Sequence, residues 1–322
     1  MYALERGLGM KWLGILFALF TAVAAFGIGN LVQSNAISSM CSDTYGISTT
    51  VSGLVIALLA AMVILFGVKG ISRVCTALVP LMALLYVLGC IYILFLNGSY
   101  VWEALCLIVR SAFRPEAAGG GFIGTTIMMT ARYGIARGLF SNESGMGSAP
   151  IVAAAAQTRN PVRQALVSSS GTFWDTVVIC ALTGLVLVSS ILAYPEISYQ
   201  DGGSLTHVAF CKIPYVGAPL LTFGVITFAF STILGWSYYG EKGIEYLGGR
   251  RWRIPYRVLF IILTFVGAIV KLELVWNISD MLNALMAIPN LVSILFLSGV
   301  IVKETKLYLW SDRLDDYPNV HE

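Results

Sequence analysis

Charge is scarce in this 322-residue chain: 11% of residues are Asp, Glu, Lys or Arg, and 57% belong to the hydrophobic set. Soluble globular proteins carry roughly a quarter of their residues as charges, so a water-soluble fold is excluded. Histidine is scarcer still. His207 falls in a polar connection and His321 beside the C-terminus, so no apolar run carries an imidazole for haem, zinc or general-base chemistry. The six cysteines, at 41, 75, 90, 106, 180 and 211, form no Cys-x-x-Cys pair. Cys75, Cys90 and Cys180 lie inside apolar runs, where they serve as small packing residues. Neither a Gly-x-Ser-x-Gly elbow nor a Gly-x-x-x-x-Gly-Lys loop occurs, which leaves no signature of an intramembrane hydrolase or a nucleotide enzyme. The net charge of +3 comes without a basic cluster interleaved with aromatics, so no nucleic-acid partner is expected. The chain reads as no enzyme and calls for no cofactor.

What is abundant is bilayer-length apolar sequence. Runs fall at about 12–39, 50–68, 74–96, 121–156, 164–194, 217–239, 257–279 and 281–302, and each crossing needs roughly 20 helical residues. They predict an all-α polytopic membrane protein, a single transmembrane domain over 1–322 with about eight spanning helices. Arg6 and Lys11, Lys69 and Arg73, Arg159 and Arg163, Lys242 with Arg250, Arg251, Arg253 and Arg257, and Lys303 with Lys306 occupy alternate connections. The intervening connections hold only Lys212, with Lys271 inside the end of a run. By the positive-inside rule the basic ends are cytoplasmic, which puts both termini in the cytoplasm of a cell (inner) membrane protein. The stretch 99–114 differs: Trp102, Leu105, Val109, Ala112 and Phe113 follow helical spacing while Glu103, Arg110 and Arg114 gather elsewhere. That pattern predicts a helix lying in the interface, or a solvated connecting helix with no part in the chemistry.

The run 121–156 is too long for one straight helix, since its 36 residues would extend about 54 Å against a hydrocarbon core of about 30 Å. Its middle, GLFSNESGMGSAP from Gly138 to Pro150, combines three glycines with Ser141, Asn142, Glu143, Ser144, Ser148 and a proline. Glycine gains freedom outside a helix and proline cannot donate to the ladder, so unwinding is favoured. Broken backbone at membrane depth is tolerated only where it is buried in protein or lines a watery cavity, and secondary transporters use such breaks to bind substrate and coupling ions. The spacings Gly120/Gly124 and Gly134/Gly138 fit helix packing instead. Glu143, an acid amid apolar residues, is a site candidate; pairing with Arg132 or Arg137 in a structural network is the alternative. Asp175, in GTFWDT, reads as structural or gating.

Two more polar clusters interrupt apolar runs. FGIGNLVQSN, Phe26 to Asn35, places Asn30 and Gln33 three residues apart and so on one helix face. FAFSTILGWSYYGEK, Phe228 to Lys242, carries the adjacent hydroxyls Ser231 and Thr232 and the aromatics Trp236, Tyr238 and Tyr239. Tyr238 and Tyr239 read as membrane-interface anchors near a helix end, and Trp236, deeper, as a residue that closes a pocket. Ser and Thr in membrane helices also commonly bond back to the preceding turn.

At GLFSNESGMGSAP the chain resembles the alanine/glycine:cation symporter family, with Ser144 in place of the usual alanine. The resemblance continues through MYALERGLGMKWLG, FGIGNLVQSN, GTFWDT and STILGWSYYGEK, and so covers essentially the whole chain. It implies sodium-coupled symport of small neutral amino acids, alanine or glycine, with the proton as an alternative coupling ion, on the inverted-repeat amino-acid/polyamine transporter architecture. The family has an expected eleven helices and a Gly-Thr-Gly-Asn motif on its first broken helix, which does not occur here. The resemblance therefore implies an N-terminally truncated member, and keeps an inactive fragment or a membrane assembly subunit as the alternative. It also implies that the third, sixth and eighth helices of the repeat core line the pathway, and these hold the three polar clusters. Candidate substrate residues are thus Gln33, Asn30, Ser141, Asn142, Glu143, Gly145, Gly147 and Trp236. Candidate sodium ligands are the Ser231 and Thr232 hydroxyls with the carbonyl of Phe228 one turn earlier. The lipid bilayer is the remaining expected partner.

Overall fold

The computed structural model describes residues 1–113, 134, 138, 140–195, 202–270 and 273–317. The described residues are helical or irregular, with no strand among them. The helices are α1 (Lys11–Phe26), α2 (Val32–Tyr45), α3 (Thr49–Ile64), α4 (Val68–Leu96), α5 (Gly98–Phe113), α6 (Ala149–Ala153), α7 (Pro161–Thr172), α8 (Ala181–Ala193), α9 (Gly202–Cys211), α10 (Gly217–Gly248), α11 (Arg253–Ile269), α12 (Glu273–Phe296) and α13 (Ser298–Thr305). Backbone satisfied within each segment is what the hydrocarbon interior demands, and helices provide it. Among the described residues five helices are long and apolar enough to cross a membrane: Lys11–Tyr45, Val68–Leu96, Pro161–Ala193, Gly217–Gly248 and Arg250–Ile269. The helix pair Asp280–Phe296 and Ser298–Trp310, bent by 57°, is apolar enough to make either a broken sixth span or a re-entrant loop. The 16-residue α3 is shorter, and in the run 121–156 residues 121–133, 135–137 and 139 lie outside the described residues. The protein is an all-α polytopic membrane protein.

One boundary differs from the sequence expectation. The apolar run drawn to residue 279 is interrupted at Val270, which is extended (φ −94°, ψ 144°) after α11 ends at Ile269, and helix is described again from Glu273. Apolarity hid it, because Leu274, Val275 and Trp276 continue the run on the far side. Lys271 itself lies outside the described residues. His207, assigned to a polar connection, sits within α9 beside Cys211 (Nε2 to Sγ 3.7 Å).

The chain forms two compact units. The first comprises Met1–Ala77, Glu143–Thr172 and Phe228–Glu322. Its centre is the continuous helix of α1 and α2, joined through a π-helical turn at Gly27–Leu31 and packed on α3, α11 and α12. Small residues set the spacing. Ala18, Ala24 and Ala25 are fully buried, and a Cβ on Gly267 of α11 would overlap Ser34 of α2. Close backbone approach is the usual basis of helix association in a bilayer. The polar face of α2 then caps α11. Asn35 donates to the carbonyls of Gly267 (3.2 Å) and Val270 (3.1 Å), and Ser38 to that of Ala268 (2.8 Å). These are carbonyls that a helix end leaves without intrahelical partners.

The same unit holds the C-terminal tail against α7. Asn160, 2% exposed, accepts the Arg163 amide (2.9 Å) as N-cap, with Pro161 opening the helix. Its amide protons go to the carbonyls of Leu314 (2.8 Å) and Asp316 (3.1 Å), and Arg159 and Arg163 both pair with Asp315. Asn160→Ala removes all three hydrogen bonds and is expected to cost about 1–3 kcal/mol, read as a lower melting temperature in detergent and faster proteolysis at Arg313–Tyr317. Asp315→Ala, at a pair that is largely solvent-exposed, should cost under about 1 kcal/mol. Equal effects would show that the tail is held by charge instead.

The second unit comprises Leu78–Asn142 and Phe173–Thr227. In it α5 packs on α8, and Asn97 donates to Ser190 (3.1 Å). Ala104 is buried there, while Trp102, Leu105 and Val109 stay exposed.

Candidate functional site

The helical course through Phe140–Asn142 ends at Glu143, from which residue the chain belongs to the first unit, and α6 resumes the helix with Pro150 in its first turn. Between them Glu143 (φ 55°), Gly145 (φ 82°) and Gly147 (φ 84°) are left-handed. For glycine this is costless, whereas Glu143 carries strain of roughly 1–3 kcal/mol. Its carboxylate accepts the Ser148 hydroxyl (2.8 Å) and faces the Tyr239 hydroxyl of α10. Ser144 bonds Thr172 (3.2 Å), and Met146, Gly147 and Ser148 are buried. Arg132 and Arg137, the alternative partners of Glu143, lie outside the described residues.

Ser141 and Asn142 belong to the second unit, where the π-helical segment Phe173–Cys180 receives them. Ser141 donates to Asp175 (2.8 Å) and Asn142 to Thr176 (3.0 Å). Asp175 thus ties one helix to the next.

Asn30 and Gln33 take different partners. Asn30, fully buried in the π-helical turn, donates to the Phe260 carbonyl of α11 (2.7 Å), and its Oδ1 has no hydrogen-bond partner among the described residues. Half-buried Gln33 reaches back to the Ile28 carbonyl (3.2 Å). The extra residue in a π turn shifts the helical register, so spacing by three does not hold both side chains to one surface. Trp236 is 2% exposed and lies against that same turn: a Cβ on Gly29 would overlap it.

Ser231 and Thr232 both donate to the Phe228 carbonyl, at 2.8 and 3.0 Å. The carbonyl is thereby occupied by two hydroxyl protons, and each hydroxyl keeps its own lone pairs. Tyr238 is buried and half-buried Tyr239 edge-stacks on Trp236 at 5.3 Å, so both side chains pack within the protein. α10 runs on to Gly248, which places both well inside it.

Two contributors escaped the sequence reading. Glu241, 3% exposed, holds Arg257 bidentately (2.7 and 3.0 Å) and Arg253 (3.0 Å), while Arg253 and Lys242 also reach Glu245. The arginines were legible as topology markers, but the acid sixteen residues before Arg257 was not paired with them. Asn290 donates to the Gly145 carbonyl (2.9 Å) from the middle of an apolar helix. A lone polar residue after Pro289 was its only sequence signal. A cavity of about 440 Å³ within this unit touches Gly147 and Pro150 and is bordered by Tyr238, Lys242, Glu245, Asn290 and Ser293. Broken backbone beside a cavity with a few polar groups is an arrangement able to hold a small polar solute.

The family model described as the sodium:alanine symporter family matches residues 1–322. The chain is 48% identical over 313 residues to the sodium/alanine symporter AgcS of Methanococcus maripaludis, covering 96% of this chain and 68% of that protein. It is 47% identical over 321 residues to an uncharacterised transporter of Haemophilus influenzae, covering 98% and 70% of the two chains. With the amino-acid carrier protein AlsT of Bacillus subtilis the identity is 35% over 311 residues, 95% of this chain and 65% of AlsT. The chain belongs to the sodium:alanine symporter family: it is a multi-pass membrane symporter that couples an amino acid to sodium, and not an enzyme.

Proposed function

We propose that the protein carries small neutral amino acids, alanine or glycine, into the cell together with sodium by alternating access, in the cell (inner) membrane with both termini cytoplasmic. The observation that carries this reading is the break Glu143–Ser148, left-handed at Glu143, Gly145 and Gly147 and buried from Met146 to Ser148, beside a cavity in a chain of this family. Unwound backbone offers carbonyls to an ammonium or a cation at bilayer depth, where a side-chain charge would be expensive. Gln33 and the segment Glu143–Gly147 bound the zwitterion in this proposal, and Trp236 limits its side chain by steric exclusion. Sodium, a hard cation, needs several oxygen ligands, and the lone pairs of Ser231 and Thr232 supply two of them.

Uptake of labelled alanine by cells expressing the protein, with sodium replaced by choline, tests the reading. Loss of uptake in choline is expected; uptake that follows a pH gradient and ignores sodium would make the proton the coupling ion. Ser231→Ala with Thr232→Ala should raise the half-maximal sodium concentration by about tenfold, some 1.4 kcal/mol, at unchanged protein level. An unaltered sodium dependence would place the ion elsewhere.

A further inference from the structure

We propose that Asn290 is a positioning residue of the transport site, fixing the course of the unwound segment Glu143–Ser148 through its hydrogen bond to the Gly145 carbonyl. The inference rests on the reading of that segment as the substrate and ion site. Gly145 and Gly147, at φ 82° and 84°, flank Met146, and glycine lets the adjoining peptide planes rotate at little cost. The Gly145–Met146 peptide is held from within the segment by the Met146 amide donating to the Glu143 carbonyl (3.3 Å), and from another helix by Asn290 Nδ2 donating to Gly145 O (2.9 Å). Since a peptide unit is planar, holding that carbonyl toward α12 also fixes the amide of Met146, and through it the directions of neighbouring carbonyls.

The same side chain limits the space at the second glycine. A Cβ on Gly147 would stand 2.9 Å from Asn290 Cγ and Oδ1 and 2.9 Å from Phe17 Cε2. The segment is therefore held between α1 and α12, with Asn290 as anchor on one side and the Phe17 ring on the other. A residue acting this way sets how well the carbonyls are pre-aimed, so its loss weakens binding of solute and ion while leaving the slow conformational steps largely alone.

Asn290→Leu, which keeps the branched heavy-atom shape and removes the donor, and Asn290→Ala test this in the full protein. Half-saturating concentrations of both alanine and sodium are expected to rise about tenfold or more, with maximal rate per transporter in the membrane within about threefold of wild type. Amide hydrogen exchange across Glu143–Ser148, read by mass spectrometry without substrate, is expected to quicken by about tenfold. A fall in maximal rate at unchanged half-saturation, or unchanged exchange in both variants, overturns the assignment. If the wild-type protein shows no sodium-dependent uptake, the site reading fails, while the exchange measurement still decides whether Asn290 holds the segment.

Discussion

Gly29→Ala is expected to abolish transport and to lower the amount of folded protein in the membrane sharply. Gly29 lies in the π-helical turn, and a Cβ there would overlap Cβ and Cγ of Trp236 and stand 2.9 Å from its Cδ2. The first atom struck is attached directly to the backbone of α10, so no rotamer change relieves it. The two helices would have to move apart, disrupting the Asn30 bond to α11 formed in the same turn. Overpacking of this kind costs about 1–3 kcal/mol or more. Trp236→Ala should fail to rescue the variant, because it retains the offending Cβ, whereas Trp236→Gly should restore part of the folded protein. Gly184→Ala is the control. Nothing lies within 4 Å of a Cβ there, and alanine favours a helix over glycine by about 0.5–1 kcal/mol. Rescue by Trp236→Ala would show that the approach of the two backbones is looser than described.

Glu241→Ala is expected to be the most damaging removal of a charge. The carboxylate is 3% exposed and faces Arg253 and Arg257, whose side chains are 32% and 12% exposed. Arg257 would keep one contact, to the Leu65 carbonyl (3.2 Å), and lose its counter-charge. Breaking a buried pair from one side costs about 3–5 kcal/mol, whereas replacing both partners with apolar residues is often close to neutral. Glu241→Leu combined with Arg257→Leu should therefore melt at a higher temperature than Glu241→Ala alone. Arg250→Ala, at a side chain 88% exposed, should change stability by no more than about 0.5 kcal/mol. If the double variant is less stable than the single one, the network contributes attraction beyond what its desolvation costs.

The helical, bilayer-spanning character of the chain was legible because apolar composition and run length answer directly to the bilayer. The break was legible because Gly145, Gly147 and Pro150 disfavour a continuous helix on local grounds alone. What the sequence concealed depended on contacts between distant residues. The π turn at Gly27–Leu31 changes the register on which the grouping of Asn30 with Gln33 relied. Tyr238 and Tyr239 resembled anchors only because the apolar run stops near them, while α10 continues through Glu241 and Glu245 once those acids are neutralised by Arg253, Arg257 and Lys242. Asn35 and Ser38 gave the same polar signal as a binding residue would, and are engaged in capping α11. A polar side chain in an apolar run thus marks a demand for hydrogen bonding, and only the fold tells whether backbone or solute meets it.

Sodium–alanine coupling can be measured in both directions in one preparation. The protein is reconstituted in vesicles, and an inward sodium gradient is imposed with labelled alanine outside; separately, an inward alanine gradient is imposed with radioactive sodium on both sides. Linkage requires that each solute drive the other. Transient accumulation of alanine above its equilibrium level is expected in the first arm and of sodium in the second, both weakened by the paired Ser231→Ala and Thr232→Ala changes. Alanine that merely equilibrates at the same rate with and without the sodium gradient would contradict such coupling.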